Sequence, residues 1–162
     1  MIGSTFGLFL GNMLPLDSFG GTRETTGNLV GHPQVIDGDT LVLNSVRIRL
    51  SGIDAPEMAQ VCFDEFHRPY SCGQKAKQAL IQMVSFGSTR CIGDAYDIYG
   101  RLIGTCFVSE RNVNKEMVQR GWAMAYTKYS LRYSLDELNA RISDRGLWRG
   151  EFESPWNWRR RH

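Results

Sequence analysis

The sequence predicts an α+β fold: a five-stranded Greek-key β-barrel of the OB type carrying three helices. Three observations predict it. Short runs with alternating β-branched residues fill the chain from His32 to Ser51. A single helix-period run separates them from a second hairpin, and two further short helical patterns follow that hairpin. A small OB barrel needs about five strands with a helix between the third and fourth, and this order of elements supplies both.

Each element has a local reason. His32–Asp37, Thr40–Asn44 and Val46–Ser51 read as three strands, with Asn44-Ser45 as the tight turn between the last two. Met58 to Tyr70 carries no periodicity and reads as irregular. From Gln74 to Val84, Ala76, Ala79, Leu80 and Met83 recur at helical spacing, with Ser71 as a candidate N-cap and Gly87 as a stop. Thr89–Gly93 and Leu102–Val108 form a second hairpin that turns through Ile98-Tyr99-Gly100. Val113–Arg120 is a short helix ended by Gly121. Leu135–Ser143 is another, with Leu135, Leu138 and Ile142 spaced to make its apolar face. The final stretch mixes Trp148, Phe152, Trp156 and Trp158 with Arg159, Arg160 and Arg161. Its tryptophans are expected to cover the flank of the barrel, although aromatic residues among arginines can also stack bases and bind phosphate.

With 162 residues and 42% apolar content the chain is expected to form one domain of ordinary size. Its boundaries are read as 32–162, preceded by a leader or disordered extension over 1–31. The apolar patch Phe6–Leu16 in that extension is too short to span a bilayer, and no Lys or Arg precedes it as in an export signal. A net charge of +2 excludes a bulk positive field, so any affinity for nucleic acid must come from local placement of charge. Cys62, Cys72, Cys91 and Cys106 contain no Cys-x-x-Cys pair and lie away from zinc-ligand spacing to His32, His67 and His162. An even count fits two disulfides and an oxidising compartment.

Candidate chemistry concentrates between Val35 and Glu57. Asp37-Gly38-Asp39 and Asp54-Ala55-Pro56-Glu57 bracket a hairpin whose second strand carries Arg47 and Arg49. Arginines alternating with apolar residues on a strand normally face water. Here carboxylates close both ends, and an antiparallel return can bring Asp39 beside Asp54. Two hard oxygen donors converging among turns suit Ca²⁺.

Taken together, Asp37-Gly38-Asp39-Thr40, the run Arg49-Leu50-Ser51-Gly52-Ile53-Asp54-Ala55-Pro56-Glu57, and Tyr99-Gly100-Arg101 resemble the staphylococcal nuclease (thermonuclease) family, from about Val35 to Trp148. The resemblance implies an OB-fold phosphodiesterase that cleaves DNA and RNA with little sequence preference and leaves 3′-phosphate products. It implies a Ca²⁺ cofactor held by Asp39, Asp54 and the backbone carbonyl of Ala55. Arg49, Glu57 and Arg101 match the family's catalytic trio, and Tyr99 and Tyr126 fall where it contacts nucleotide phosphate and base. Ile98 departs from a Lys common at that position, which puts contacts to a terminal phosphate in doubt, and the Cys-bearing loop after Glu57 departs from the best-known member. Cysteine-containing, exported bacterial relatives look closer, so a monomeric periplasmic or secreted enzyme without membrane attachment is expected. A catalytically weak OB-fold module that binds nucleic acid is the alternative, because fold does not fix function.

The chemistry asks for these residue types. Phosphodiester hydrolysis needs an activated water and shielding of the phosphoryl oxygens. Glu57 is the candidate base or water-orienter, and Arg49 and Arg101 can each hold phosphate oxygens bidentately. Of the three disulfide connectivities, Cys62–Cys72 with Cys91–Cys106 is expected. The second hairpin's midpoint lies halfway between positions 91 and 106, which sets those residues opposite each other within disulfide reach.

Overall fold

The computed structural model describes residues 27–162, and they form an α+β fold with a curled half-barrel sheet of the OB type. Strands β1 (Asn28–Gly31) and β2 (Gln34–Val35) lead into the hairpin β3 (Thr40–Leu43) and β4 (Val46–Leu50), followed by the short β5 (Ile53–Asp54). A small hairpin, β6 (Val61–Phe63) and β7 (Pro69–Ser71), opens directly into helix α1 (Cys72–Val84). The long hairpin β8 (Thr89–Tyr96) and β9 (Leu102–Val108) comes next, then β10 (Arg111–Asn112), α2 (Val113–Gln119) and β11 (Met124–Ala125). Helix α3 (Ser134–Ile142), a 3₁₀ turn at Gly146–Arg149 and helix α4 (Pro155–Arg161) complete the described chain.

The main sheet runs β1-β8-β9-β4-β3-β2, with β10 added on β9. The two hairpins join through a parallel pairing of β4 with β9 that sets Arg49 opposite Ile103. Alternation explains the core: Leu41 and Leu43, Ile48 and Leu50, and Leu102 and Val108 turn inward. They meet Ala76, Leu80 and Met83 of α1 and Met117 of α2. Asn114 is fully buried yet satisfied. Its amide donates to the carbonyls of Ser51 and Gly104 and its oxygen accepts the Cys106 N–H, which ties α2 to both hairpins.

Several expectations need correcting. Of the strand expected over His32–Asp37 only Gln34–Val35 forms, because Pro33 offers no N–H to a ladder and the chain changes partner there. The residues before it pair with β8 and those after it pair with β3. Asn28–Gly31, placed in the extension, therefore belong to the sheet, whereas the Phe6–Leu16 patch lies outside the described residues. The stretch expected to be irregular holds the β6–β7 hairpin, whose strands of three residues are too short to show a period. A fourth helix, α4, starts at Ser154-Pro155, a cap-plus-proline signal that was present in the sequence. In α3 the spacing marked a helix but not its buried face. Leu135, Leu138 and Ile142 are exposed, while Ala140 is buried and Glu137 accepts the Ala125 N–H at 2.6 Å.

Both expected disulfides are present. Cys91 and Cys106 are register partners across β8 and β9 with Cα atoms 4.1 Å apart. Cys62–Cys72, with Cα atoms 5.6 Å apart, staples the small hairpin to the first residue of α1. Two such bridges point to an oxidising compartment. Among the described residues no helix is long and apolar enough to cross a membrane.

Candidate active site

A cleft of about 950 Å³ opens on the half-barrel, lined by Asp39, Arg49, Ala55, Glu57, Tyr99, Arg101 and Tyr126 among others. Its floor is the β3–β4 hairpin. Asn44 and Ser45, both at positive φ, turn that hairpin tightly and place Thr40 opposite Arg49. The Asp37 side chain accepts the Asp39 N–H at 3.0 Å, an Asx turn that starts β3. Gly38 has no alternative there, since a Cβ would lie 2.7 Å from the Cβ atoms of both Ala55 and Ala76.

Arg49 is the hub. Its Nη1 lies 2.9 Å from Asp39 Oδ2 and its Nη2 lies 2.9 Å from Asp54 Oδ1. The side chain is only 13% exposed, so it is not the solvated strand arginine that its alternation alone suggests. Asp39 also accepts the Ala55 N–H at 2.8 Å and the Thr40 hydroxyl at 3.1 Å. Burial pushes the Asp39 carboxyl up to about 7; Arg49 opposes the rise, and the carboxylates of Asp37 and Asp54 add to it. Asp54 is fully buried and held by the pairing of β5 with β11, where it faces Met124. Glu57 follows in a loop pressed against α1. A Cβ on Gly73 would stand 1.9 Å from the Glu57 carbonyl oxygen, so only glycine permits this approach.

Arg101 comes from the other hairpin. Asp97, which sequence reasoning did not single out, positions it: its carboxylate accepts the N–H groups of Tyr99 and Arg101 and pairs with Arg101 Nε at 2.7 Å. Burial works against the ionised form of Asp97, but these hydrogen bonds from Arg101 and Tyr99 and the Arg101 charge prevail and hold its pKa below the usual aspartate value. The signal was available in Asp97-Ile98-Tyr99-Gly100, an Asp-x-x-Gly turn pattern. Tyr99 sits 74% exposed at the hairpin tip, with the Arg101 guanidinium 5.5 Å from its ring centroid. Tyr126 is placed by β11 and by its N–H bond to the Gly52 carbonyl, and its ring meets Tyr129 edge-on at 4.9 Å.

The second unforeseen residue is Arg159 of α4. It reaches into the cleft and pairs with both Asp54 and Glu57. Trp156, one turn earlier, lies parallel to the Tyr126 ring with centroids 5.7 Å apart. The terminal aromatic cluster is thus divided. Trp148 packs edge-on against Phe152 as flank covering, but Trp156 packs against a cleft residue. No local pattern in the chain ties position 159 to position 54.

Among the described residues no three acidic, His or Cys side chains form a ready-made metal cage. Two carboxylates nevertheless meet at one guanidinium, Asp39 Oδ2 and Asp54 Oδ1 each lying 2.9 Å from Arg49. Hard oxygen donors are the ligand type that Ca²⁺ prefers, so Asp39, Asp54 and the Ala55 carbonyl are the candidate ligands.

Comparison with known proteins agrees with this architecture. Residues 47–150 match the family described as Staphylococcal nuclease homologue. The chain is 36% identical over 128 residues to the Succinoglycan biosynthesis protein ExoI of Rhizobium meliloti (strain 1021), covering 77% of this chain and 67% of that protein. It is 36% identical over 126 residues to the Probable staphylococcal-like nuclease CAN1 of Oryza sativa subsp. japonica, covering 76% of this chain but 35% of the rice protein. It is 33% identical over 135 residues to an Uncharacterized endonuclease of Haemophilus influenzae, covering 78% and 70%.

Proposed function

This chain belongs to the staphylococcal nuclease family, and on that premise we propose that it is a Ca²⁺-dependent, sequence-nonspecific nuclease that hydrolyses DNA and RNA to 3′-phosphate products. The observation that carries the reading is the convergence of Asp39, Arg49, Glu57 and Arg101 around one cleft, with the buried Asp54 of β5 joined to them through Arg49. Family membership alone would not carry it, because a fold can outlive its chemistry.

In this reading Asp39, Asp54 and the Ala55 carbonyl hold the metal, which supplies Lewis-acid stabilisation of the phosphoryl oxygens when bound. Glu57 accepts a proton from the attacking water, whose oxygen bonds to phosphorus as the P–O5′ bond breaks. The phosphate stays on the 3′ side and the 5′ oxygen leaves, taking up a proton to become a hydroxyl. Arg101, aimed by Asp97, and Arg49 donate to the oxygens on which charge accumulates. Tyr99 and Tyr126 offer an exposed hydroxyl and an aromatic face to phosphate and base.

Release of acid-soluble nucleotides from DNA and from RNA, measured in Ca²⁺, in Mg²⁺ and in chelator, tests this. Turnover should require Ca²⁺, with Mg²⁺ a poor substitute because it demands tight octahedral geometry, and the products should end in 3′-phosphate. Equal turnover in chelator would refute the metal assignment. No turnover in any condition would leave a nucleic-acid-binding module.

A further inference from the structure

Arg159 lies where the metal reading needs free lone pairs. Its Nη1 is 3.1 Å from Asp54 Oδ1 and 2.7 Å from Glu57 Oε1, and its Nη2 is 2.9 Å from Asp54 Oδ2. Asp54 Oδ1 already accepts from Arg49. Both oxygens of a fully buried carboxylate are therefore engaged by guanidinium groups, and so is the candidate base.

The placement is built. The backbone of Glu151 pairs with Phe63 of β6, in the hairpin stapled by Cys62–Cys72. Gln60, itself buried, donates to the Glu153 carbonyl at 2.7 Å while its side-chain oxygen accepts the Glu57 N–H at 3.2 Å. Pro155 is buried at the start of α4, and Trp156 stacks on Tyr126.

We propose that Arg159 is the resident cation of the metal site and that α4 is an intramolecular competitor which a divalent cation must displace. This rests on the reading of Asp39 and Asp54 as metal ligands. Of the two arginines on Asp54, Arg49 is 13% exposed and anchored in a central strand, whereas Arg159 is 38% exposed on a seven-residue helix, so Arg159 is the one that leaves. With it in place, the carboxylates of Asp37, Asp39, Asp54, Glu57 and Asp97 outnumber Arg47, Arg49, Arg101 and Arg159 by one, and the cleft is formally negative. Exchanging Arg159 for Ca²⁺ raises the formal charge by one, removes that net repulsion of a phosphodiester, and releases Glu57 to meet water. Metal arrival thus switches both the field and the base. Until then the cleft neither attracts nucleic acid strongly nor has a free carboxylate to act with.

Calorimetric titration of Ca²⁺ into the chelator-stripped chain, Arg159→Gln and Trp156→Ala tests the exchange without any turnover assay. Arg159→Gln should bind Ca²⁺ at least about tenfold more tightly. Trp156→Ala, which leaves every cleft carboxylate and guanidinium intact, should shift affinity in the same direction by less. In the unsubstituted chain, amide hydrogen exchange over residues 155–161 should accelerate on Ca²⁺ addition. Equal Ca²⁺ affinity in all three proteins, or unchanged exchange at α4 once Ca²⁺ is bound, would overturn the competition while leaving the metal reading standing. Absence of Ca²⁺ uptake by any of them would remove both.

Discussion

Two regions of the molecule grip the same buried carboxylate in different ways. On the floor of the cleft, Arg49 reaches Asp54 from five residues away, out of a strand hydrogen-bonded on both sides. At the rim, Arg159 reaches it from 105 residues away, out of a short helix whose outer end carries exposed arginines. The floor is pre-organised by core packing, so its geometry persists whatever occupies the cleft. The rim is held by one stacked ring, one buried proline and a few polar contacts, so its geometry is conditional. Catalytic stabilisation needs the first kind of support and gating uses the second.

The sharpest way to test that contrast is stability. Arg49→Met strands Asp39, leaves Asp54 to Arg159 alone, and should cost about 3 to 5 kcal/mol in urea denaturation. Arg159→Met, which removes a guanidinium 38% exposed and leaves the buried Asp54 to Arg49, should cost at most about half as much. Comparable losses would erase the distinction between floor and rim.

Crosslinks probe the same contrast. Replacing Cys91 and Cys106 together by Ala should lower stability by about 3 kcal/mol in the chain-entropy picture, because the bridge closes the β8–β9 hairpin of the floor. Replacing Cys62 and Cys72 should cost a similar amount and in addition loosen α4, whose preceding segment pairs with that hairpin through Glu151. Denaturation read together with exchange over 155–161 separates the two effects.

Chemistry on the floor should be the next most sensitive readout. Glu57→Gln and Arg101→Lys should each reduce turnover by at least about a hundredfold with little change in melting, since each group acts on the transition state from a half-buried turn outside the apolar core. A variant near the unsubstituted rate would take that residue out of the mechanism.

The smallest effect is expected at Asp97. Asp97→Asn weakens the aim of Arg101 and should lower turnover by about tenfold, with KM less affected. Because the folded pKa of Asp97 is depressed, the stability it adds is present above the ordinary aspartate value of 3.8 and is lost as pH falls through the lower folded value. The stability gap between the two proteins should therefore be open at pH 6 and close in strong acid. A gap independent of pH would show that Asp97 acts by packing alone.

What could be read from the chain beforehand follows from range. The turns at Asn44-Ser45 and Asp37-Gly38-Asp39, the helix at Ala76 to Met83 and the opposition of Cys91 and Cys106 are set by residues within a few positions or by simple hairpin counting. The approach of Asp39 to Asp54 could be expected from the carboxylates that close both ends of one hairpin, whereas Arg49, Glu57 and Arg101 were marked by the family resemblance, since strand alternation alone points Arg49 to water. Asp97 was legible in principle, through its turn pattern, and was passed over. The exposed side of α3 was not, because helical spacing reports a period and cannot say which face the rest of the chain will cover. Arg159 was the least legible of all. One arginine among three consecutive ones carries no mark of its own, and its pairing with Asp54 exists only because the β6–β7 hairpin, Gln60 and Tyr126 together seat α4 over the cleft. Short-range steric and hydrogen-bonding rules act within the chain's own neighbourhood, whereas a contact across 105 residues arises from the sum of every packing choice between them.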